Sequence, residues 1–131
     1  MNASPAVLVV EDEKAVRDSV ARVLGAEGFR LEFAPDLHTA LRHPWMATCD
    51  GLLCDLKLPD GSGLELMKAL QRSRPDVPVV VTTGFATTET LADARAAGAT
   101  DILLKPFDCA ELLYVVRRAV APRTAFPEDP S

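Results

Sequence analysis

The sequence predicts an α/β fold: a doubly wound, five-stranded parallel sheet with helices on both faces, a (βα)5 arrangement. Three observations carry this. Short apolar runs rich in branched residues alternate five times with segments whose apolar residues recur at helical spacing. Most of the runs are apolar throughout rather than at every second residue, as strands covered on both faces are. Gly and Pro punctuate the joints, and right-handed crossovers then keep the strands parallel.

Ala6–Val10 is a continuous apolar run and reads as the first strand. From Lys14 to Glu27, Val16, Val20, Val23 and Leu24 repeat at helical spacing, and Gly28 stands where a helix commonly stops. Phe29–Ala34 alternates apolar and polar residues, so the second strand is expected at an edge, half exposed. Asp36 is placed to cap a short helix through Leu37, Ala40 and Leu41, which Pro44 ends.

Gly51–Asp55 is an apolar run that stops abruptly at a carboxylate, followed by the turn cluster Pro59-Asp60-Gly61-Ser62-Gly63. Leu66, Met67 and Leu70 give the third helix its core-facing stripe. Pro75 to Pro78 breaks the chain before the fourth strand, Val79–Thr82. The next helix, Thr88–Ala97, offers mainly Leu91 and small alanines to a core and is expected to be weakly anchored. Gly98 ends it. Ile102–Leu104 then forms a fifth strand running into Lys105-Pro106, and Leu112, Leu113, Val116 and Val120 stripe the last helix. The expected organisation is an N-terminal tail over residues 1–5, one domain over 6–121, and a disordered tail or the start of a linker over 122–131, where Pro122, Pro127 and Pro130 fall.

A chain of 131 residues with 48% apolar and 25% charged residues fits one globular domain and excludes a wholly disordered one. Its net charge of −5 supplies no positive field for nucleic acid or an anionic membrane, so neither is expected as a direct partner. Met1 to Pro5 has no cationic leader, and Ala6–Val10 is too short for a signal-peptide core or a membrane span; a cytoplasmic protein is expected. Cys49, Cys54 and Cys109 are scattered and odd in number, which suits reduced thiols in packing better than disulfides or a zinc site.

In open parallel sheets, reactive side chains gather at the carboxyl ends of the strands, near the point where strand order reverses. Glu11 and Asp12 end the first strand, Asp55 the third, Thr82 and Thr83 the fourth, and Lys105 the fifth. Three carboxylates held together repel one another, so either a pKa rises or a cation intervenes. Oxygen-only ligands with room for water suit Mg²⁺. With the metal in place, Asp55 can act as nucleophile toward a phosphoryl donor while the cation and Lys105 offset negative charge, and the product is an acyl phosphate. The Thr83 hydroxyl can donate to a phosphoryl oxygen only once the group has arrived, which turns chemistry into conformational change.

The span from about Ala6 to Ala121 resembles the receiver domain of response regulators, of the CheY-like superfamily. The matching pieces are Val-Val-Glu11-Asp12-Glu13 after the first strand, Asp55-Leu56-Lys57-Leu58-Pro59 with Gly63 after the third, Thr83-Gly84 after the fourth, and Lys105-Pro106-Phe107 after the fifth. Each alone is weak, and all four in order are highly specific. The resemblance implies a flavodoxin-like strand order of 2-1-3-4-5, with Asp55 as the phosphorylated residue. It also implies Asp12 as the principal Mg²⁺ carboxylate, Glu11 assisting, and the Lys57 main-chain carbonyl as a further ligand. Thr83 becomes the switch hydroxyl and Lys105 the phosphate-pairing cation, with a cis bond before Pro106. The implied donor is a sensor histidine kinase or a phosphotransfer protein. The implied readout is a downstream output domain or protein, met through the fourth helix, fifth strand and fifth helix, with a phosphorylation-dependent homodimer as one form of it. Ile102 departs from the family, which commonly has Tyr or Phe there, so an aromatic in/out relay at that position is not available.

Each residue also has a plainer reading. Glu11-Asp12 alone could be a helix cap, Thr83 a cap for the following helix, and Lys105 a surface lysine; their joint placement favours function. Gly61-Ser62-Gly63 reads as a turn, because no dinucleotide or nucleotide fingerprint accompanies it. His38 and His43 read as solvated surface residues, Cys54 as packing on the strand face opposite Asp55, and Trp45 as a local hydrophobic anchor. Two other functions stay open at this point. One is a Mg²⁺-dependent aspartate-nucleophile phosphatase, although such enzymes typically carry a second aspartate where this chain has Lys57. The other is a phosphorylation-independent, receiver-like interaction module.

Overall fold

Successive side chains of a strand point to opposite faces, and in the first strand both faces are apolar, so both must be covered. The computed structural model, which describes residues 4–120, does this with helices on the two sides. The tail expected over 122–131 lies outside the described residues. In chain order the elements are β1 (Ala6–Val10), α1 (Lys14–Ala26), β2 (Arg30–Ala34), α2 (Leu37–Leu41), β3 (Gly51–Asp55), α3 (Gly63–Ser73), β4 (Val79–Thr83), α4 (Thr88–Ala96), β5 (Asp101–Leu104) and α5 (Cys109–Ala119). All five strands are parallel, in the order β2-β1-β3-β4-β5, as expected.

The two faces make two cores. Leu8, Val10, Leu52, Cys54, Val79 and Val81 face α3 through Leu66, Met67 and Leu70, with Leu37 and Ala40 of α2 and Ala94 of α4 beside them. Val7, Val9, Leu53, Val80 and Leu103 face Val20 and Leu24 of α1 and Leu112 and Val116 of α5. Burying a leucine of this kind contributes about 1.5–3 kcal/mol, so α3, with three large buried side chains, is firmly held. The β2 edge keeps its alternation: Arg30 and Glu32 are exposed, Leu31 and Phe33 half-buried.

Several local details differ from the sequence reading. Pro44 does not simply stop the chain after α2; it opens a 3₁₀ turn, Pro44–Ala47, for which the lone pair of His43 Nδ1 accepts the Trp45 N–H at 3.0 Å. His43 is accordingly only 14% exposed, with Nε2 3.4 Å from Glu32, and is a capping residue rather than a solvated one. His38 is exposed as expected. Trp45 is partly buried against the α3-side core, with Arg30 over its ring, and so anchors locally. Cys49 and Cys54 are buried free thiols, whereas Cys109 is exposed at the start of α5 and is not a packing residue.

The turn cluster after β3 has more structure than a turn. Lys57–Leu58 pairs antiparallel with Gly61–Ser62, and the Ser62 hydroxyl then caps α3 by accepting the Leu64 N–H. Asp36 caps α2 through the Thr39 N–H at 2.8 Å, as expected. A second carboxylate, Asp60, reaches the same helix start from outside and accepts the Leu37 and His38 N–H groups at 2.8 and 2.9 Å. These bonds hold the Asp60 carboxyl below the ordinary aspartate range.

Helix α4 buries only Ala94, with Ala97 just beyond its end; Leu91 is no more than partly covered. Its Thr87 and Thr90 side chains form a reciprocal capping box, so the helix is well started but lightly attached. Amide hydrogen exchange followed by mass spectrometry is expected to be faster across α4 than across α3, because local opening of α4 exposes little apolar surface. Equal protection of the two helices would contradict this account of their packing.

Candidate functional site

The register of the sheet brings the strand ends together. Val10 of β1 pairs with Cys54 of β3, Asp55 with Thr82 of β4, and Thr83 with Leu104 of β5. One residue past each pair, the chain delivers Glu11 beside Asp55 and Lys105 just beyond Thr83. The expected site residues other than Glu11, which lies buried beside Asp55, therefore share one crevice. Asp12, Asp55, Lys57, Thr83 and Lys105, joined by Glu13 and Phe85, line an open cleft of about 530 Å³.

Lys105 organises the charges. Its Nζ donates to Asp55 Oδ2 at 2.8 Å and lies 3.0 Å from Glu11 Oε1 and 3.9 Å from Glu13. Its side chain is only 20% exposed, which rules out a free surface lysine. Burial works against the ammonium, yet the hydrogen bonds to Asp55 and Glu11 outweigh it and hold the Lys105 pKa above the ordinary lysine value. Burial likewise pushes the Glu11 carboxyl above the ordinary glutamate range, and hydrogen bonds from Lys105 and the Glu13 N–H offset only part of that.

Glu11, Asp12 and Asp55 each present a carboxylate oxygen within 4.8 Å of the others, with Asp12 exposed toward solvent and the other two buried. This donor set, all oxygen and open on one side, fits a hard divalent cation. The acidic pair is not a helix cap: Glu13 occupies that position without a side-chain bond, and Glu11 Oε2 instead accepts the Glu13 N–H at 3.1 Å. Arg17, one turn into α1, donates to the main-chain oxygens of Glu11 and Asp12 at 2.9 and 3.0 Å and so fixes the acidic loop from behind. No sequence pattern pointed to Arg17.

Around Asp55, the Lys57 N–H donates to its Oδ1 at 3.2 Å. Gly63 opens α3 directly against the end of β3. A Cβ there would fall inside the van der Waals distance of the Asp55 carbonyl oxygen and 2.9 Å from Cys54 Sγ. Cys54 itself is fully buried on the opposite strand face, and burial drives its thiol pKa far up, so it is inert toward the cleft. Thr83 does not cap α4, a role Thr87 fills; its Oγ1 accepts the Phe85 N–H at 3.0 Å. The Lys105–Pro106 bond is cis, as expected. Phe85, to which the sequence assigned no role, is 60% exposed, and the Lys57 ammonium sits 5.0 Å from its ring centroid.

Comparison with known proteins gives the same picture from another side. The family model for the response regulator receiver domain matches residues 7–117. Regulatory protein AtoC of Escherichia coli is 33% identical over 125 residues, which are 92% of this chain and 26% of that protein. The acid tolerance regulatory protein ActR of Rhizobium meliloti is 32% identical over 124 residues, 95% of this chain and 64% of that protein. The chain thus spans only a part of these curated relatives. Among solved structures, the chemotaxis protein CheY4 of Vibrio cholerae is similar with a TM-score of 0.83 at 30% identity, covering 89% of this chain and 99% of that one.

Two variants test the geometry. Gly63→Ala should lower stability in urea unfolding by about 1–3 kcal/mol, because the added methyl meets the Asp55 main chain and the buried Cys54 sulfur and one of them must move; an unchanged midpoint would contradict the close approach of α3 to Asp55. Lys105→Met should raise the Glu11 pKa further, since an ammonium that favours the carboxylate is removed. Carboxyl-carbon NMR titration reads this directly, and a Glu11 value that stays put or falls would be the contrary result.

Proposed function

This chain belongs to the response regulator receiver domain family, and from that premise we propose that Asp55 is its phosphoacceptor in a Mg²⁺-dependent reaction. The observation that carries the reading is the Lys105 ammonium, 2.8 Å from Asp55, beside three carboxylates whose oxygens lie within 4.8 Å of one another. Asp12, Asp55 and Glu11, with the main-chain carbonyl of Lys57, are the residues that would hold the ion. When bound, Mg²⁺ supplies positive charge that screens the phosphoryl oxygens from the surrounding carboxylates.

The residues of the chain do the rest. One Asp55 carboxylate oxygen attacks the phosphorus of a phosphohistidine on a sensor histidine kinase or phosphotransfer protein. An oxygen–phosphorus bond forms as the phosphorus–nitrogen bond breaks, and the imidazole leaves with that electron pair. The ammonium of Lys105, already drawn to this carboxylate, pairs with a phosphoryl oxygen. The Thr83 hydroxyl turns from the Phe85 main chain to donate to another. Acceptance of the group and its self-catalysed loss to water are the only covalent steps, so the chain is a signalling phosphoacceptor rather than a turnover enzyme.

The switched output is a change in what binds the surface of α4, β5 and α5, where Leu104 and Tyr114 are exposed. The partner there is an output domain or protein, or a second copy of the phosphorylated chain. The net charge of −5 disfavours direct nucleic-acid contact. Among the described residues no helix is long and apolar enough to cross a membrane, and the proposed location is the cytoplasm.

Intact-mass analysis after incubation with Mg²⁺ and acetyl phosphate should reveal a single phosphoryl adduct. The adduct should vanish when EDTA replaces Mg²⁺ and be missing from Asp55→Asn. An adduct of equal level in Asp55→Asn would remove the assignment.

A further inference from the structure

Ile102 leaves the chain without an aromatic ring at the position where relatives commonly carry one, and it packs, partly buried, against the α3-side core. A ring is available elsewhere. Phe85, two residues after Thr83, is a large apolar side chain left 60% exposed. Beside it lies an apolar pocket of about 330 Å³, walled by Leu56, Leu64, the Lys57 stem and Thr90. Thr83 and Phe85 line both this pocket and the acidic cleft.

We propose that Phe85 is the conformational reporter of this domain, its ring moving from solvent into the pocket between the loop after β3, the start of α3 and α4 when the Thr83 hydroxyl engages a phosphoryl group on Asp55. The inference rests on the phosphoacceptor reading above. In the structure the ring is kept outward by polar contacts of its own backbone. The Phe85 N–H donates to Thr83 Oγ1 at 3.0 Å, and the Phe85 carbonyl accepts from Thr90 Oγ1 at 2.6 Å. The Lys57 ammonium over the ring adds an exposed cation–π contact, which is a weak hold.

When Thr83 turns its hydroxyl toward the cleft, Phe85 loses the acceptor of its N–H and the pocket loses a polar atom from its wall. Both changes favour the inward ring: one of the two backbone restraints is gone, and the pocket wall has lost a polar atom. Gly84, between the two residues, has open space around it, so the link can turn without a clash. Thr90 ties the same carbonyl to the first turn of α4, the most lightly attached helix, so movement of Phe85 is passed to α4. The ring thereby connects the acceptor to the output surface without residue 102.

Fluorine NMR on the full chain, with its five phenylalanines replaced by 4-fluorophenylalanine, tests this in one spectrum. The Phe85 resonance is assigned by its disappearance in Phe85→Leu. Mg²⁺ and beryllofluoride, a phosphoryl mimic, are then added, and bound fluoride signals report occupancy of Asp55. The expected result is a shifted Phe85 resonance whose relaxation by a soluble gadolinium chelate falls roughly threefold, as burial of a ring now mostly in solvent requires. Bound fluoride signals with an unmoved, equally accessible Phe85 would overturn the inference while leaving the phosphoacceptor reading intact. Absence of bound fluoride signals would overturn both.

Discussion

Three carboxylates at the ends of the adjacent strands β1 and β3, with one ammonium reaching them from the end of β5, are the constraint around which the molecule is arranged. At an effective dielectric of about 20, two like unit charges roughly 4 Å apart repel by about 4 kcal/mol, so Glu11, Asp12 and Asp55 resist being gathered. Lys105 offsets part of this by lying within hydrogen-bond reach of both Asp55 and Glu11. What remains is a site with excess negative oxygen, open on the Asp12 side, where a divalent cation would relieve the imbalance. The site is thus held ready by strain between charges rather than by strain in the backbone.

The rest of the fold serves to maintain that proximity. Parallel pairing fixes which residues stand level at the carboxyl edge, and two apolar cores lock the register, because a slip of one residue would turn each strand's side chains to the wrong face. Gly63 lets α3 begin against the backbone of Asp55, and Arg17 pins the Glu11–Asp12 loop from α1. Rigid packing lies on the β3–α3 side, while the Thr83–Thr90 segment and α4 are held mainly by hydroxyl hydrogen bonds. A domain that must respond to a small group needs this asymmetry: one part fixed for chemistry, the adjoining part cheap to move.

The sheet and the acidic cleft were legible in the sequence because both depend on short-range pattern. Apolar runs such as Val79–Thr82 announce buried strands, and a parallel sheet places whatever follows each run at one edge, so Asp55 and Lys105 could be brought together without coordinates. What could not be read depends on contacts distant in sequence or on the loss of a simple pattern. Asp60 caps α2 from 23 residues away, Arg17 reaches back to loop carbonyls, and His43 is drawn inward by a 3₁₀ turn that Pro44 had suggested was only a stop. No role could be read for Phe85 because a single aromatic in a loop has no periodicity; its surroundings come from the pocket it lines.

The central claim, that negative oxygens from β1 and β3 meet beside Lys105 to share one divalent cation, is tested most directly with Mn²⁺ as a paramagnetic substitute for Mg²⁺ in amide NMR. Substoichiometric Mn²⁺ should broaden the amides at the carboxyl ends of β1 and β3, around Asp12, Asp55 and Lys57, and excess Mg²⁺ should restore them. Broadening centred elsewhere on the surface, or none at these strand ends, would contradict the account.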